Sequence, residues 1–300
     1  MTSTAQNNSI VLNTGQQNAV KEIYDFLHDD KLAIILTGSA GCGKSFLINY
    51  IIDKLLPAYQ SDCKMFNKDP VIDTVELAAT TNKAASVISS SYNLFTPTVH
   101  SLFNLILRNN FNTGETTISR SKKWTVKTKT LFIIDEYTMI NKELYRHLLD
   151  SVNLDTCKFI FVGDKNQLSP VKENHCIVDK QGFEVIELTE PVRNSNSPAL
   201  MDLCEQFKNT VLTGEFKDSK LTPQEAGRLI ENDFIHGKDS RILAYTNNAV
   251  ISHNDYIRSA VGFNTPKFQQ GEVLTVNETV NCIVHAETAT LSTDTLLEIV

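Results

Sequence analysis

The 300-residue chain predicts an α/β fold built on a parallel sheet, on three features. Short unbroken apolar runs at residues 32–37 (LAIILT), 131–134 (LFII) and 159–162 (FIFV) have the texture of strands buried on both faces. Two of these runs pass directly into acid, Asp135-Glu136 and Gly163-Asp164, at the strand end where open α/β sheets bind ligands. After the first run comes GSAGCGKS (residues 38–45), a phosphate-binding loop, and then a stretch at residues 46–56 with apolar residues at helical spacing.

The loop sets the ligand class. Gly38, Gly41 and Gly43 let the backbone curl so that successive N–H groups across Ser39, Ala40, Cys42 and their neighbours face a polyphosphate. The helix that follows adds its positive end. Lys44 reaches the β- and γ-phosphates, and the Ser45 hydroxyl is placed to ligate Mg²⁺. Cys42 either fills a gap or carries a thiol activated by Lys44. The helix is expected to stop at Pro57.

On either side of the loop, further elements follow from periodicity. Residues 14–27 read as a helix opened by Thr14 as its N-cap, with Ala19, Val20, Ile23, Phe26 and Leu27 on one face. A strand at residues 74–80 is followed by a short helix at 82–90. Asn112-Thr113-Gly114 marks the turn of a hairpin. Beyond residue 193 come a helix from Ser197-Pro198 to about 212, a strand at 241–246 and a helix at 248–260. Strands at 272–276, 289–291 and 296–300 complete the chain.

Composition excludes several classes. Apolar residues make up 41% and charged residues 21%, a globular balance, and no segment approaches the roughly 18 apolar residues of a membrane span. The polar first nine residues predict a disordered tail, neither a secretory signal nor a transit peptide. Six scattered cysteines without a CxxC pair fit free thiols in a reducing cytoplasm. A net charge of −7 argues against non-specific adhesion to nucleic acid. Locally the balance reverses: Arg108, Arg120, Lys122, Lys123, Lys127 and Lys129 face a single acid, Glu115, across residues 101–130. Such an insert either tracks a phosphate backbone or is merely a solvated hairpin.

The acid sites suit phosphoryl transfer to water, which needs held Mg²⁺, a positioned water and positive charge at the γ-phosphate. Asp135 is the Mg²⁺ partner opposite Ser45, and Glu136 polarises the attacking water. Gln167, after the next strand, offers an amide to sense the γ-phosphate.

DEYTM (135–139), VGDKNQLSPV (162–171) and LTEPVRN (188–194) resemble motifs II, III and IV of superfamily 1 DNA helicases, in the RecD-like branch and its phage Dda-type members. LNTGQ (12–16) resembles the Q motif, AATTNKAA (78–85) and TVHS (98–101) motifs Ia and Ib, and LAYTNNAV (243–250) the opening of a second motor domain. The resemblance implies a P-loop NTPase with a RecA-like sheet, ATP and Mg²⁺ as its ligands, and single-stranded and forked DNA as its partners. Gln16 would read adenine, Gln167 would couple phosphate state to DNA, and Arg193 would act as an arginine finger, its alternative being a salt bridge to Glu190 or Glu187. Thr81, Asn82, Thr98, His100, Lys122, Lys123, Thr246 and Asn247 would touch DNA. Trp124 would either stack a base or join the core.

The implied organisation is a first motor domain (10–103 and 131–195) interrupted by a hairpin subdomain (104–130), then the start of a second motor domain (196–267) and part of a small β-barrel (268–300). Nothing after residue 251 matches motifs V and VI, so a C-terminally incomplete motor is expected. The implied activity is an ATP-dependent DNA helicase moving 5′ to 3′, a cytoplasmic monomer serving replication, recombination or repair. The alternatives are an inactive nucleotide- and DNA-binding fragment or another P-loop phosphotransferase.

Overall fold

The structure is a computed structural model that describes residues 12–39, 41–92, 94–110, 115–167, 169–170, 173, 175–190, 192, 198–215, 242, 244, 246–263, 265, 267–276, 280–284, 287–291 and 296–300. The chain forms two compact units, Met1–Thr213 and Gly214–Val300.

The first unit is a five-stranded, all-parallel sheet: β1 (Ala33–Gly38), β2 (Thr74–Ala79), β5 (Thr130–Asp135), β6 (Lys158–Gly163) and β7 (Glu184–Leu188), in the order β2-β5-β6-β1-β7. Side-chain alternation splits each buried strand between two cores. Ile34, Leu36, Leu131, Ile133, Ile160 and Val162 face one core; Ala33, Ile35, Phe132, Ile134, Phe159 and Phe161 face the other. The first core is closed by α1 (Thr14–His28), α2 (Lys44–Tyr50), α3 (Leu56–Met65) and α4 (Asn82–Tyr92). The second is closed by α5 (Val99–Leu102) and α6 (Lys142–Asp150), with Phe103, Phe132, Phe159, Phe161 and Phe183 in successive ring contacts at 5.0–6.1 Å.

Two helix expectations need correction. The helix after the loop does not stop at Pro57: a π-helical turn, Ile51–Leu55, joins α2 to α3, with Pro57 in the first turn of α3. The widened turn accommodates a residue that has no N–H to give the preceding turn. The N-cap of α1 is Asn13, not Thr14: its side chain accepts from Gln16 N–H at 2.8 Å, and the Gln16 side chain accepts from Asn13 N–H at 3.1 Å, a reciprocal capping box.

The hairpin forms as β3 (Leu105–Asn110) antiparallel to β4 (Glu115–Arg120); its turn at 111–114 lies outside the described residues. The helix α7 (Pro198–Thr213) belongs to the first compact unit. Ser197 lies outside the described residues.

The second unit contains α8 (Asn247–Val261), capped by Thr246, whose hydroxyl accepts from Ala249 N–H at 3.2 Å. Two antiparallel pairs follow, β8 (Val273–Thr275) with β11 (Leu296–Glu298), and β9 (Val280–Val284) with β10 (Glu287–Leu291). Arg258 on α8 donates to the buried Glu272 at 2.6 Å, tying helix to strand and holding that carboxyl below the usual range. Residues 241, 243 and 245 of the expected strand lie outside the described residues. Among the described residues, no helix is long and apolar enough to cross a membrane.

Candidate active site

Three adjacent strand ends build one cavity of about 360 Å³. From β1 come Gly41, Gly43, Lys44 and Ser45; from β5, Asp135 and Glu136; from β6, Gly163, Asp164 and Gln167. The phosphate loop and both acid sites, which lie far apart in the sequence, thus share one pocket. Ala40, within the loop, lies outside the described residues.

The loop is held by its neighbours. Gly41 and Gly43 have φ of +87° and +82°, the left-handed region open to glycine. A Cβ on Gly38 would stand 2.6 Å from the Leu188 carbonyl, so the close approach of β7 requires glycine there. Val192 N–H donates to Gly41 O at 2.8 Å, which lays Val192 against the loop. A Cβ on Gly43 would collide with the side-chain amide nitrogen of Gln16, so Gln16 sits directly on the loop. Its amide oxygen is committed to the capping box. Cys42 is buried in the first core, with Ser39 Oγ 3.1 Å from its sulfur, so gap filling is its structural role. The Lys44 ammonium donates to Gly38 O at 2.6 Å and Ser39 O at 3.1 Å, folded over the loop at its centre.

The acid pair is asymmetric. Burial pushes the Asp135 carboxyl up, and Glu136 beside it adds to this; the Glu136 N–H, 2.9 Å from Asp135 Oδ1, and Lys44 pull it down. Glu136 has φ of +55°, a left-handed backbone that costs a non-glycine residue roughly 1–2 kcal/mol. Two threonines at the end of β2 brace it: Thr80 Oγ1 donates to the Glu136 carbonyl and Thr81 Oγ1 to Glu136 Oε2, each at 3.2 Å. Ser45 and Asp135 line the same cavity with a hydroxyl and a carboxylate, hard oxygen donors that suit Mg²⁺. Gln167 is fixed by its N–H donating to Asp164 O at 2.9 Å. Arg193 lies outside the described residues, so neither of its two readings meets a geometry.

The residues linked by resemblance to DNA are spread over both units. Thr81 and the exposed Asn82 open α4; Thr98 caps α5, its hydroxyl accepting from Ser101 N–H at 3.3 Å. The pairing of Ala79 with Thr98 puts these two motifs side by side. His100 is partly buried, and burial, with His147 nearby, lowers its pKa. Thr246 and Asn247 open α8 in the second unit. Phe95 was marked by no motif, yet is 85% exposed just before Thr98; its only sequence signal was an aromatic among turn residues.

The insert divides in two. Arg120 pairs with Asp150 at 2.7 Å, Lys127 with Glu76 at 3.1 Å and Lys129 with Asp73 at 3.5 Å, so half of its cations serve attachment. Lys122 and Lys123 are exposed, with no ion pair among the described residues, as is Arg108. Of the two readings of Trp124, the geometry matches the packing one: it lies against the second core, its indole N–H donates to Ser151 Oγ at 2.9 Å, and the Arg120 guanidinium covers its ring at 4.1 Å.

Residues 11–239 match the AAA domain family AAA_30. The chain belongs to that family. Among curated relatives of this AAA domain, the ATP-dependent DNA helicase dda of Enterobacteria phage T4 is 26% identical over 291 residues, which cover 89% of this chain and 61% of the relative. The uncharacterized protein R530 of Acanthamoeba polyphaga mimivirus is 25% identical over 219 residues, 66% of this chain and 42% of the relative. The chain therefore spans less than two thirds of either. Solved structures of similar fold include the Pif1 helicase from Candida albicans (20% identity, TM-score 0.51, covering 91% of this chain and 58% of that one). Another contains two Pif1 helicases unwinding forked double-stranded DNA (19% identity, TM-score 0.50, 91% and 61%). These relatives agree with the superfamily 1 resemblance in the motifs, and the AAA domain has the RecA-like P-loop fold.

Proposed function

We propose that this AAA domain is the ATP-hydrolysing motor portion of a DNA helicase that moves along single-stranded DNA, 5′ to 3′. The observation that carries the proposal is the single cavity shared by the phosphate loop, the acid pair and Gln167. In it, loop N–H groups and Lys44 bind the phosphates, Gln16 abuts the loop where the base would lie, and Ser45 with Asp135 holds Mg²⁺. The ion, when bound, neutralises charge on the β- and γ-phosphate oxygens. Glu136 accepts the proton of the attacking water, and Gln167 reports the phosphate state. Arg193 completes the charge at the γ-phosphate.

The DNA track takes in Thr81, Asn82, Thr98, His100 and, from the insert, Lys122 and Lys123. Phe95 adds an exposed ring on which a base stacks. In the second unit, Thr246 and Asn247 are read separately as DNA-contacting residues, on the resemblance of their segment. The T4 relative is named an ATP-dependent DNA helicase, which supports both the nucleotide and the polymer.

The test is ATP hydrolysis by the full-length protein with and without single-stranded DNA. Stimulation by DNA that is lost in Lys44→Ala and Glu136→Gln is expected. No stimulation by any DNA or RNA strand would overturn the proposal.

A further inference from the structure

We propose that Glu143 is a positioning residue that yokes the inserted hairpin to α6, so that the hairpin follows the segment carrying the acid pair when nucleotide binds. The inference rests on reading the cavity as an ATP site. A two-stranded hairpin is marginally stable on its own in water, so β3 and β4 need a support. That support is α6. The Ile118 N–H, on the edge of β4 away from β3, donates to Glu143 Oε1 at 3.0 Å in a partly buried, charge-assisted bond. At the far end of α6, Arg120 pairs with Asp150 at 2.7 Å. Just beyond it, the Trp124 indole N–H donates to Ser151 Oγ and the Lys127 N–H to the Ser151 carbonyl, each at 2.9 Å. The Arg120–Asp150 pair is exposed and contributes little by itself, which leaves Glu143 as the firmer tie near the hairpin turn.

The helix is bound in turn to the ATP site. Glu136 leads into one 3-10 turn, Tyr137–Met139, with Tyr137 and Ile140 buried. Asn141 then caps α6, its side chain accepting from Leu144 N–H at 2.8 Å. A link this short and this buried has little slack to absorb a shift. From the other acid site, Glu173 accepts from Lys142 N–H at 3.1 Å, and its own N–H donates to Pro170 O at 3.0 Å. Lys142 and Glu143, adjacent in the first turn of α6, therefore meet the chain beyond Gln167 and the hairpin respectively. When nucleotide fills the cavity, the segment from Asp135 to Asn141 loses freedom, and the hairpin loses freedom with it.

The experiment is amide hydrogen exchange, read by mass spectrometry, on the full-length protein with and without a non-hydrolysable ATP analogue. In the wild type, exchange over β3 and β4 is expected to slow when the analogue binds. Glu143→Ala should speed that exchange about tenfold, as the loss of one hydrogen bond to a charged acceptor requires, and abolish the response to the analogue. Alanine is the best helix former, so the change does not weaken α6 through propensity. Glu143→Gln loses the same charge at the start of α6 but keeps an oxygen acceptor, so it should behave as the wild type does. Exchange over β5 should be the same in all three proteins. Equal acceleration over β5 and the hairpin, or glutamine behaving as alanine does, overturns the yoke. A wild-type hairpin that ignores the bound analogue also overturns it, while leaving the ATP reading intact. A wild type that fails to bind a fluorescent form of the analogue overturns the ATP reading instead.

Discussion

The ring of Tyr137 occupies the space that a side chain at Gly163 would need: a Cβ there would stand 2.8 Å from Tyr137 Cδ1 and 3.0 Å from Cε1. Tyr137 directly follows the acid pair and Gly163 ends β6, so this contact sets the distance between two walls of the cavity. The Tyr137 hydroxyl donates to Asp179 Oδ1 at 2.8 Å. Burial and then Asp179 push its pKa well up, so it remains a donor.

Gly163→Ala is expected to cost about 1–3 kcal/mol by overpacking, and Tyr137→Phe about 1–2 kcal/mol by orphaning Asp179. Thermal denaturation followed by circular dichroism measures both. Gly163→Ala should also depress ATP turnover beyond its effect on stability, since it pushes the acid loop out of register. A variant with wild-type Tm and turnover would contradict the contact.

Lys44→Ala and Glu136→Gln should separate binding from chemistry. Removing the ammonium weakens nucleotide binding and hydrolysis together. Removing the carboxylate leaves binding of a fluorescent ATP analogue near wild type while turnover falls about 10²–10⁴-fold. Equal loss of binding in both variants would count against Glu136 as the base.

Lys158 is buried, and its ammonium donates to the carbonyls of Phe26, Asp29 and Lys31 at 2.6–2.9 Å and to Asp29 Oδ1 at 3.2 Å. It satisfies the end of α1 and pins that helix to β6. Burial lowers its pKa, against the pull of Asp29. Lys158→Met strands these acceptors and is expected to cost about 3 kcal/mol, read as a lower midpoint in urea with an unchanged slope.

On the DNA side, Phe95→Ala should weaken binding of a short single strand by about 1–3 kcal/mol, with ATP-analogue affinity unaffected. Fluorescence anisotropy reads this directly. Unaltered strand affinity would remove Phe95 from the track.

The divided charge of the insert makes a separate prediction. Lys122→Ala and Lys123→Ala should each reduce the slope of log affinity against log salt by about 0.7 for a single strand. Lys127→Ala, whose cation is held by Glu76, should leave that slope unchanged. A slope that drops equally for all three would show that the pairing with Glu76 does not persist in the complex.

Local pattern carried much of this protein into the sequence itself. Residues 38–45 and the runs ending at Asp135 and Gly163 are contiguous, and their apolar continuity and glycine placement follow from short-range sterics and burial. The short α5 and β9 went unnoticed, as did two elements that carried clear signals. The helix α6 is capped by Asn141 with Leu144 and Leu148 one turn apart, and β7 is an edge strand whose Ile186 and Leu188 are buried while Val185 is exposed. The π turn before Pro57 had no local sign, because its cause is a proline in the next turn accommodated by packing around it. Sheet order brought the strand ends at Gly38, Asp135 and Gly163 together and set Thr81 against Glu136, and the packing of the hairpin and its flanking loop spent Arg120, Lys127 and Lys129 on ion pairs. Each of these partners lies tens of residues away, where the sequence's short-range pattern has no reach and only the packing of the sheet decides.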